Sequence, residues 1–257
     1  MIVNGLKWVY LAYISFVNPK KESAFERIYQ EKIWGQGTPA SPLSGTGSNP
    51  NLARPYVDFV RDTVRDFSIE SVLDFGHGDW AMWRDYKFED THYLGVDVVN
   101  DLSLQNTNLY GAKNIEFRKI GARESLPDAK MLICKDVLQH LSLSEIKSFL
   151  SQILKYEFII LCNDIELHQS SWDIFRYRLS INARLRRIKK FKSPFFLVKF
   201  PLNNSEIETG GYRGVDLEAS EFETYFGDFR LVNKFDFGSE FFNGTSKRVL
   251  FLRRVNN

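Results

Sequence analysis

The stretch 71–80, SVLDFGHGDW, decides how the rest of the chain reads. An apolar run ends on Asp74, and Gly76 and Gly78 then turn the chain toward an expected short helix, WAMWRDY, at 80–86. Glycine has no Cβ, so it takes positive φ without strain and lets a ligand approach the backbone. At the carboxyl end of a strand in an open α/β sheet, such a turn faces the crevice where ligands bind. A lone DxGxG carries little weight, because any tight turn can use those glycines; its surroundings carry the argument.

Downstream, HYLGVDVV (92–99), NIEFRKI (114–120), AKMLICKDV (129–137) and EFIILCND (157–164) each read as a strand. SLSEIKSFLSQILKY (142–156) reads as an amphipathic helix opened by a capping box of Ser142 and Glu145. FRLVNKFDF (229–237) and KRVLFLRRV (247–255), joined through SEFFNGTS, read as a terminal hairpin. Apolar strands alternating with helices mean a parallel sheet covered on both faces. The expectation is therefore an α/β, doubly wound, mostly parallel seven-stranded sheet with an antiparallel C-terminal hairpin.

Upstream, 19–35 and 52–67 read as helices around a loop, QGTPASPLSGTGSNPN, at 36–51. At 16 residues that loop exceeds an ordinary connector and is expected to work as a lid. This divides the chain into an N-terminal segment, 1–51, and a main domain, 52–257, with an insertion at about 165–228. The insertion contains RYRLSINARLRRIKKFK (176–192), which has eight Arg or Lys and no acid.

The formal net charge of the 257 residues is only +2, which argues against a nucleic-acid binder acting through bulk charge. The two cysteines lie in apolar runs with no CxxC, and four scattered histidines offer no zinc-ligand spacing, so no metal is expected. Unpaired strand cysteines fit a reducing cytoplasm. Residues 2–17 are apolar, but Asn4 and Lys7 interrupt a stretch too short for a spanning helix. Packing on the domain, packing on a second subunit in a homodimer, and a peripheral membrane contact through residues 1–18 all stay open.

Three further features bear on chemistry. Asp97 ends the second strand, 23 residues after Asp74, where a carboxylate can accept from two ribose hydroxyls. Met82 or Trp83 fills the third glycine position of a GxGxxG motif, which disfavours a pyrophosphate cradle. The fourth strand runs into KDVLQHLS (135–142), a strand end loaded with polar groups.

Taken together, DFGHGDW, YLGVDV and ICKDVLQHL resemble the motifs of class I S-adenosylmethionine methyltransferases over roughly 70–165. SGTGS (44–48), the ND at 163–164 and GGYRGVDL (210–217) resemble a smaller group, the methyltransferases of bacterial surface-polysaccharide and capsule modification. The resemblance implies a Rossmann-like methyltransferase fold, S-adenosyl-L-methionine as cofactor and S-adenosyl-L-homocysteine as product. It implies that Asp74, Gly76 and Gly78, with His77, Asp79 and Trp80 in the same turn, serve the methionine end. Packing competes with ligand contact at Trp80. Asp97 would hold the ribose and Val98 would lie beside the adenine. Asp136 would lie near the transferred methyl, and His140 would face the cleft as first candidate for general base, with Asp136 second. Ser44, Ser48, Asn163, Asp164, Tyr212 and Arg213 would meet the acceptor. The sequence departs from the family in RKIGARESLP (118–127), where no acid for the adenine amine appears until Glu124.

The expected activity is O-methylation of a small molecule, a sugar or phosphorylated precursor in surface-polysaccharide biosynthesis, and an anionic acceptor stays open. Two alternatives stand beside it: an RNA methyltransferase using the 176–192 run, and a non-catalytic protein that keeps the fold. No [DNS]PP[FYW] signature follows the fourth strand, which weakens base N-methylation.

Overall fold

The structure, a computed structural model, describes residues 21–86, 88–121, 124–166, 203–238 and 245–255. Seven strands form one sheet: β1 (Ser71–Phe75), β2 (His92–Asp97), β3 (Ile115–Lys119), β4 (Met131–Lys135), β5 (Phe158–Glu166), β6 (Phe229–Phe237) and β7 (Thr245–Arg254). Their spatial order is β3-β2-β1-β4-β5-β7-β6. The first five run parallel, and β7 lies antiparallel between β5 and β6. The expected sheet and terminal hairpin pairing are both present.

The central strands are apolar on both faces, as strands buried from both sides must be. Leu73, Leu132, Cys134, Ile159 and Leu161 point into one core. Their neighbours Val72, Met131, Ile133, Ile160 and Cys162 point into the other. This period of two fixes the register, because a slip of one residue would exchange the faces. Both cysteines are buried free thiols.

Four α-helices accompany the sheet: α1 (Lys21–Gln30), α2 (Pro50–Asp66), α3 (Asn100–Tyr110) and α4 (Leu143–Leu150). The Asn49 side chain caps α2 by accepting from the Asn51 N–H, and Pro50 sits where a helix has no N–H to lose. The capping box of Ser142 and Glu145 opens α4, which stops at Leu150 and gives way to a 3-10 turn at Ile153–Lys155 rather than running to 156.

Two expectations change. No α-helix follows the glycine turn: 80–86 forms only a 3-10 turn, Ala81–Trp83, entered through Trp80 in the left-handed region at φ 54°. Conversely, α3 has no counterpart in the sequence reading. Its sequence, NDLSLQNTNLY, is rich in residues that compete with the helical backbone and has almost no apolar stripe. Its inward face is polar because Ser103 and Asn106 bond the glycine turn, while Leu104 and Leu109 stay 57% and 61% exposed.

At the sheet edge, β6 carries an irregularity between Leu231 and Asn233 and an exposed Lys234, devices that blunt an edge against pairing. Between β1 and β4 the strand order reverses, so a crevice opens at their carboxyl ends. No helix among the described residues is long and apolar enough to cross a membrane. Residues 1–18 and the basic run 176–192 lie outside the described residues.

Asn106→Ala tests the polar face of α3. Alanine favours the helix by several tenths of a kcal/mol. Losing the buried hydrogen bond to the Gly78 carbonyl costs about 1–3 kcal/mol, so the expected result is net destabilisation in a urea titration. Unchanged or increased stability would contradict this account of α3.

Candidate functional site

The glycine turn is fixed from three sides. Gly76 and Gly78 have φ of 83° and 55°, both in the region that favours glycine. From β2, the Asp97 carboxylate accepts from Gly78 N–H at 3.1 Å and from Val99 N–H at 2.9 Å. From α3, Asn106 donates to the Gly78 carbonyl at 2.9 Å, and His77 lies 3.2 Å from Ser103 Oγ. From the N-terminal segment, Ser44 Oγ accepts from Asp79 N–H at 2.7 Å, and Leu43 N–H donates to Asp79 Oδ2 at 2.6 Å.

Asp74, His77 and Trp80, which the resemblance assigns to the cofactor, also make contacts within the protein. Asp74 is 2% exposed, and its Oδ2 accepts from both Tyr93 and Trp83. Burial raises the Asp74 pKa above the ordinary carboxylate value, against the pull of Tyr93. His77 anchors the turn to α3, and Trp80 packs among Tyr93, Tyr110 and Phe117.

A cleft of about 670 Å³, counting its open mouth, lies beside Asp97. Phe75, Val98, Ile120, Gly121, Glu124 and Phe149 are among its walls. Val98 is one of its walls, at the end of β2. Glu124 reaches the wall because Gly121 and Glu124 close a turn, with Gly121 N–H donating to Glu124 Oε2 at 3.1 Å.

At the carboxyl ends of β4, β5 and β7 lies a chain of buried charges. Lys135 pairs with Asp136, Lys247 bridges Asp136 and Asp164 at 2.6 and 2.7 Å, and Tyr212 OH donates to Asp164 at 2.8 Å. Burial alone would raise the Asp136 pKa, yet the two ammonium groups hold it well below the usual carboxylate range. Burial likewise opposes the charge on Lys247, and Asp136 and Asp164 outweigh it, raising its pKa. Lys135 also donates to the Gly47 carbonyl at 2.8 Å, tying the N-terminal loop to this chain. Two lysines and two aspartates balance, which is how such burial is tolerated.

His140 ends a 3-10 turn, Leu138–His140, directly after β4. Its Nδ1 lies 2.7 Å from the Gly211 carbonyl. A carbonyl only accepts, so Nδ1 carries the proton and Nε2 keeps a lone pair. Burial lowers the ring's pKa to about 4, so it is neutral at pH 7. Trp34 lies against the ring at 4.6 Å and Tyr212 at 5.8 Å.

The remaining expected acceptor residues divide between the two sides of β5. Asp164 and Tyr212 join the charge chain, whereas Asn163 falls in the alternate strand position and is 2% exposed. Arg213 is fully buried, with Nη1 donating to the Leu138 carbonyl at 3.0 Å; burial lowers its pKa to about 10. In an extended segment, successive side chains point oppositely, so Tyr212 and Arg213 serve different faces. Ser44 meets the glycine turn, and Ser48 closes the 3-10 turn Thr46–Ser48.

Sequence reasoning missed Tyr29, Trp34, Lys135 and Lys247. A lysine ending the apolar strand MLICK was the one available signal; the others meet the site only through topology. Among the described residues, no group of His, Cys, Asp and Glu could hold a metal ion.

No protein-family model matches the chain, and no curated protein matches it in sequence. Solved structures do match in shape. A SAM-dependent methyltransferase from Anabaena variabilis ATCC 29413 superposes with a TM-score of 0.58 at 15% identity, over 93% of this chain and 96% of that one. Magnesium protoporphyrin IX methyltransferase from Synechocystis PCC 6803, with bound SAH, gives 0.55 at 15% identity, over 91% and 94%. The [4+2]-cyclase SpnF gives 0.51 at 11% identity, over 78% and 82%. At these identities the likeness fixes the architecture and leaves the reaction to the site: the chain has the Rossmann-like fold of the SAM-dependent methyltransferases.

Proposed function

We propose that the chain is an S-adenosylmethionine-dependent methyltransferase acting on a hydroxyl of a small molecule, a sugar or phosphorylated precursor of surface polysaccharide. The observation that carries this reading is a set of groups at the carboxyl ends of the parallel strands. A carboxylate at the end of β2, a cleft walled by the next residue, Val98, and a neutral histidine after β4 all follow the carboxyl ends of parallel strands. The residues fit the cofactor: Asp97 would meet the ribose, and Val98 and Glu124 the adenine. SGTGS, ND and GGYRGVDL motivate the finer choice of acceptor, and Ser44, Asp164 and Tyr212 from those motifs all make contacts around the site.

Bound cofactor would supply an electrophilic methyl carried on sulfonium. His140 Nε2 would accept the proton of the acceptor hydroxyl, with the Gly211 carbonyl holding Nδ1–H and so the ring orientation. Asp136 is the weaker candidate for this step. Its pKa lies well below that of an ordinary carboxylate, so its affinity for a proton is lower still than that of His140. Its part would be electrostatic, beside the transferred methyl. The aromatic contacts of Trp34 and Tyr212 would help exclude water from the transfer.

Three outcomes follow. Incubation with methyl-labelled cofactor and two acceptor pools, sugar phosphates with nucleotide sugars or bulk RNA, is expected to label the small molecules. Label retained on RNA would favour the reading built on the 176–192 run. Turnover of an acceptor without label would point to other chemistry on the same fold, and tight cofactor binding with no turnover on any acceptor to the non-catalytic reading.

His140→Gln is expected to lower kcat by about 10²–10⁴-fold. In the wild type, kcat/KM stays flat from neutral pH down and falls only near pH 4, where Nε2 becomes protonated. A limb at the ordinary histidine value would contradict the buried, neutral ring.

Lys247→Met removes the bridge between Asp136 and Asp164. Breaking a buried pair from one side costs about 3–5 kcal/mol. The folded pKa of Asp136 is depressed, so its contribution is present at neutral pH and lost as pH falls below about 4, its unfolded value. Wild type and variant are therefore expected to differ most in denaturation midpoint at neutral pH and to converge in acid; a gap independent of pH would argue against the ion chain.

A further inference from the structure

Resting on the reading of His140 as the base, we propose that Tyr212 and Arg213 are positioning residues: with Gly210 and Gly211 they form a clamp that sets the place and orientation of the His140 ring, rather than meeting the acceptor. Four consecutive residues each hold a different part of the base or its support. Gly210 N–H donates to the His140 carbonyl at 2.8 Å, and the Gly211 carbonyl accepts from Nδ1 at 2.7 Å. Tyr212 OH donates to Asp164 Oδ2 at 2.8 Å, with its ring 5.8 Å from that of His140. Arg213 binds twice, through its N–H to the Gln139 carbonyl at 3.1 Å and through Nη1 to the Leu138 carbonyl at 3.0 Å. All three carbonyls of the 3-10 turn Leu138–His140 are thus taken by this one segment.

The clamp is itself anchored. Asn204 N–H donates to the Gly214 carbonyl at 3.0 Å, and the Asn204 side chain exchanges two hydrogen bonds with the backbone of Asp216. Val215 N–H donates to the Asp164 carbonyl at 2.7 Å, and Asn203 Oδ1 accepts from Glu166 N–H at 2.9 Å, so the neck of the loop is tied to the end of β5. At its tip, Gly210 has φ of 88° and lies against α1, where a Cβ would come within 3.2 Å of the Ala24 Cβ. Arg213 brings little stability of its own. The Leu138 carbonyl already accepts from Leu141 N–H at 3.1 Å, and the buried Nε and Nη2 of Arg213 have no hydrogen-bond partner. Unmet donors on a buried cation cost stability, so the work that fits this arginine is placing the turn. Only Nη1 is used for that, so a single ammonium could replace it, whereas a fork gripping an anionic acceptor would need the planar pair of nitrogens.

The ring's surroundings decide what loosening the clamp does. Burial holds its pKa down to about 4, Asp136 and Asp164 oppose that, and Lys247 reinforces it. A ring released from its seat regains water, and its pKa rises toward the ordinary value of about 6.5. Two-dimensional ¹H–¹⁵N spectra of histidine-labelled protein report the tautomer and titration of each ring with no acceptor present, and His140→Gln assigns the signal among the four histidines. Between about pH 8 and about pH 5.5, wild type and Arg213→Lys are expected to keep His140 neutral with the proton on Nδ1. Arg213→Met and Tyr212→Phe, each confirmed as folded by a thermal melt, are expected to show mixed tautomers and to titrate within that window. An unchanged His140 signal in either folded variant, or an Arg213→Lys protein that behaves like Arg213→Met, would overturn the clamp. The signal does not depend on turnover, so a clamp that passes in a protein that methylates no acceptor would count against the reaction and leave the clamp standing.

Discussion

The carboxylate of Asp97 holds the site together. One oxygen takes the N–H of Gly78 and the other that of Val99, so the end of β2 and the turn after β1 are fixed to each other. Everything else near the crevice is built on that junction. The N-terminal loop docks on Asp79, one residue past the bonded glycine. The inward face of α3 is polar because it must meet the same turn. The cleft beside Val98 and Glu124 is walled by the ends of β1, β2 and β3, through Phe75, Val98 and Ile120, and by α4.

The second constraint is charge balance. Lys135, Asp136, Lys247 and Asp164 come from β4, the residue after it, β7 and β5, and none of them is stable at such depth without the others. The balance holds Asp136 ionised while His140, one turn later and without an ionic partner, stays neutral. One titratable group of the pair is thereby ionised and the other neutral at pH 7.

The strands were legible because their apolar residues fill both faces and their ends carry the polar groups, and Asp97 was legible because it follows Asp74 at the spacing of successive parallel strands. What stayed hidden has physical causes. α3 hides because its buried face is Leu102 with the polar Ser103 and Asn106, so no apolar stripe marks it. Lys247 hides because a lysine at the start of an edge-hairpin strand is ordinarily solvated, and only the antiparallel insertion of β7 beside β5 carries it to Asp136. The internal partners of Asp74 and Trp80 were not legible, because a motif locates residues along the chain and says nothing of which side of a turn they occupy. The similarity to a [4+2]-cyclase makes the same point for function, since one fold accommodates unlike reactions.

The central claim, that this crevice binds S-adenosylmethionine through Asp97, is tested most directly by titrating S-adenosylhomocysteine into wild type and Asp97→Ala by calorimetry. Micromolar binding to wild type, about −8 kcal/mol, that is lost in a folded Asp97→Ala protein is the predicted result. Absence of binding to folded wild type, or equal affinity in the folded variant, would contradict it.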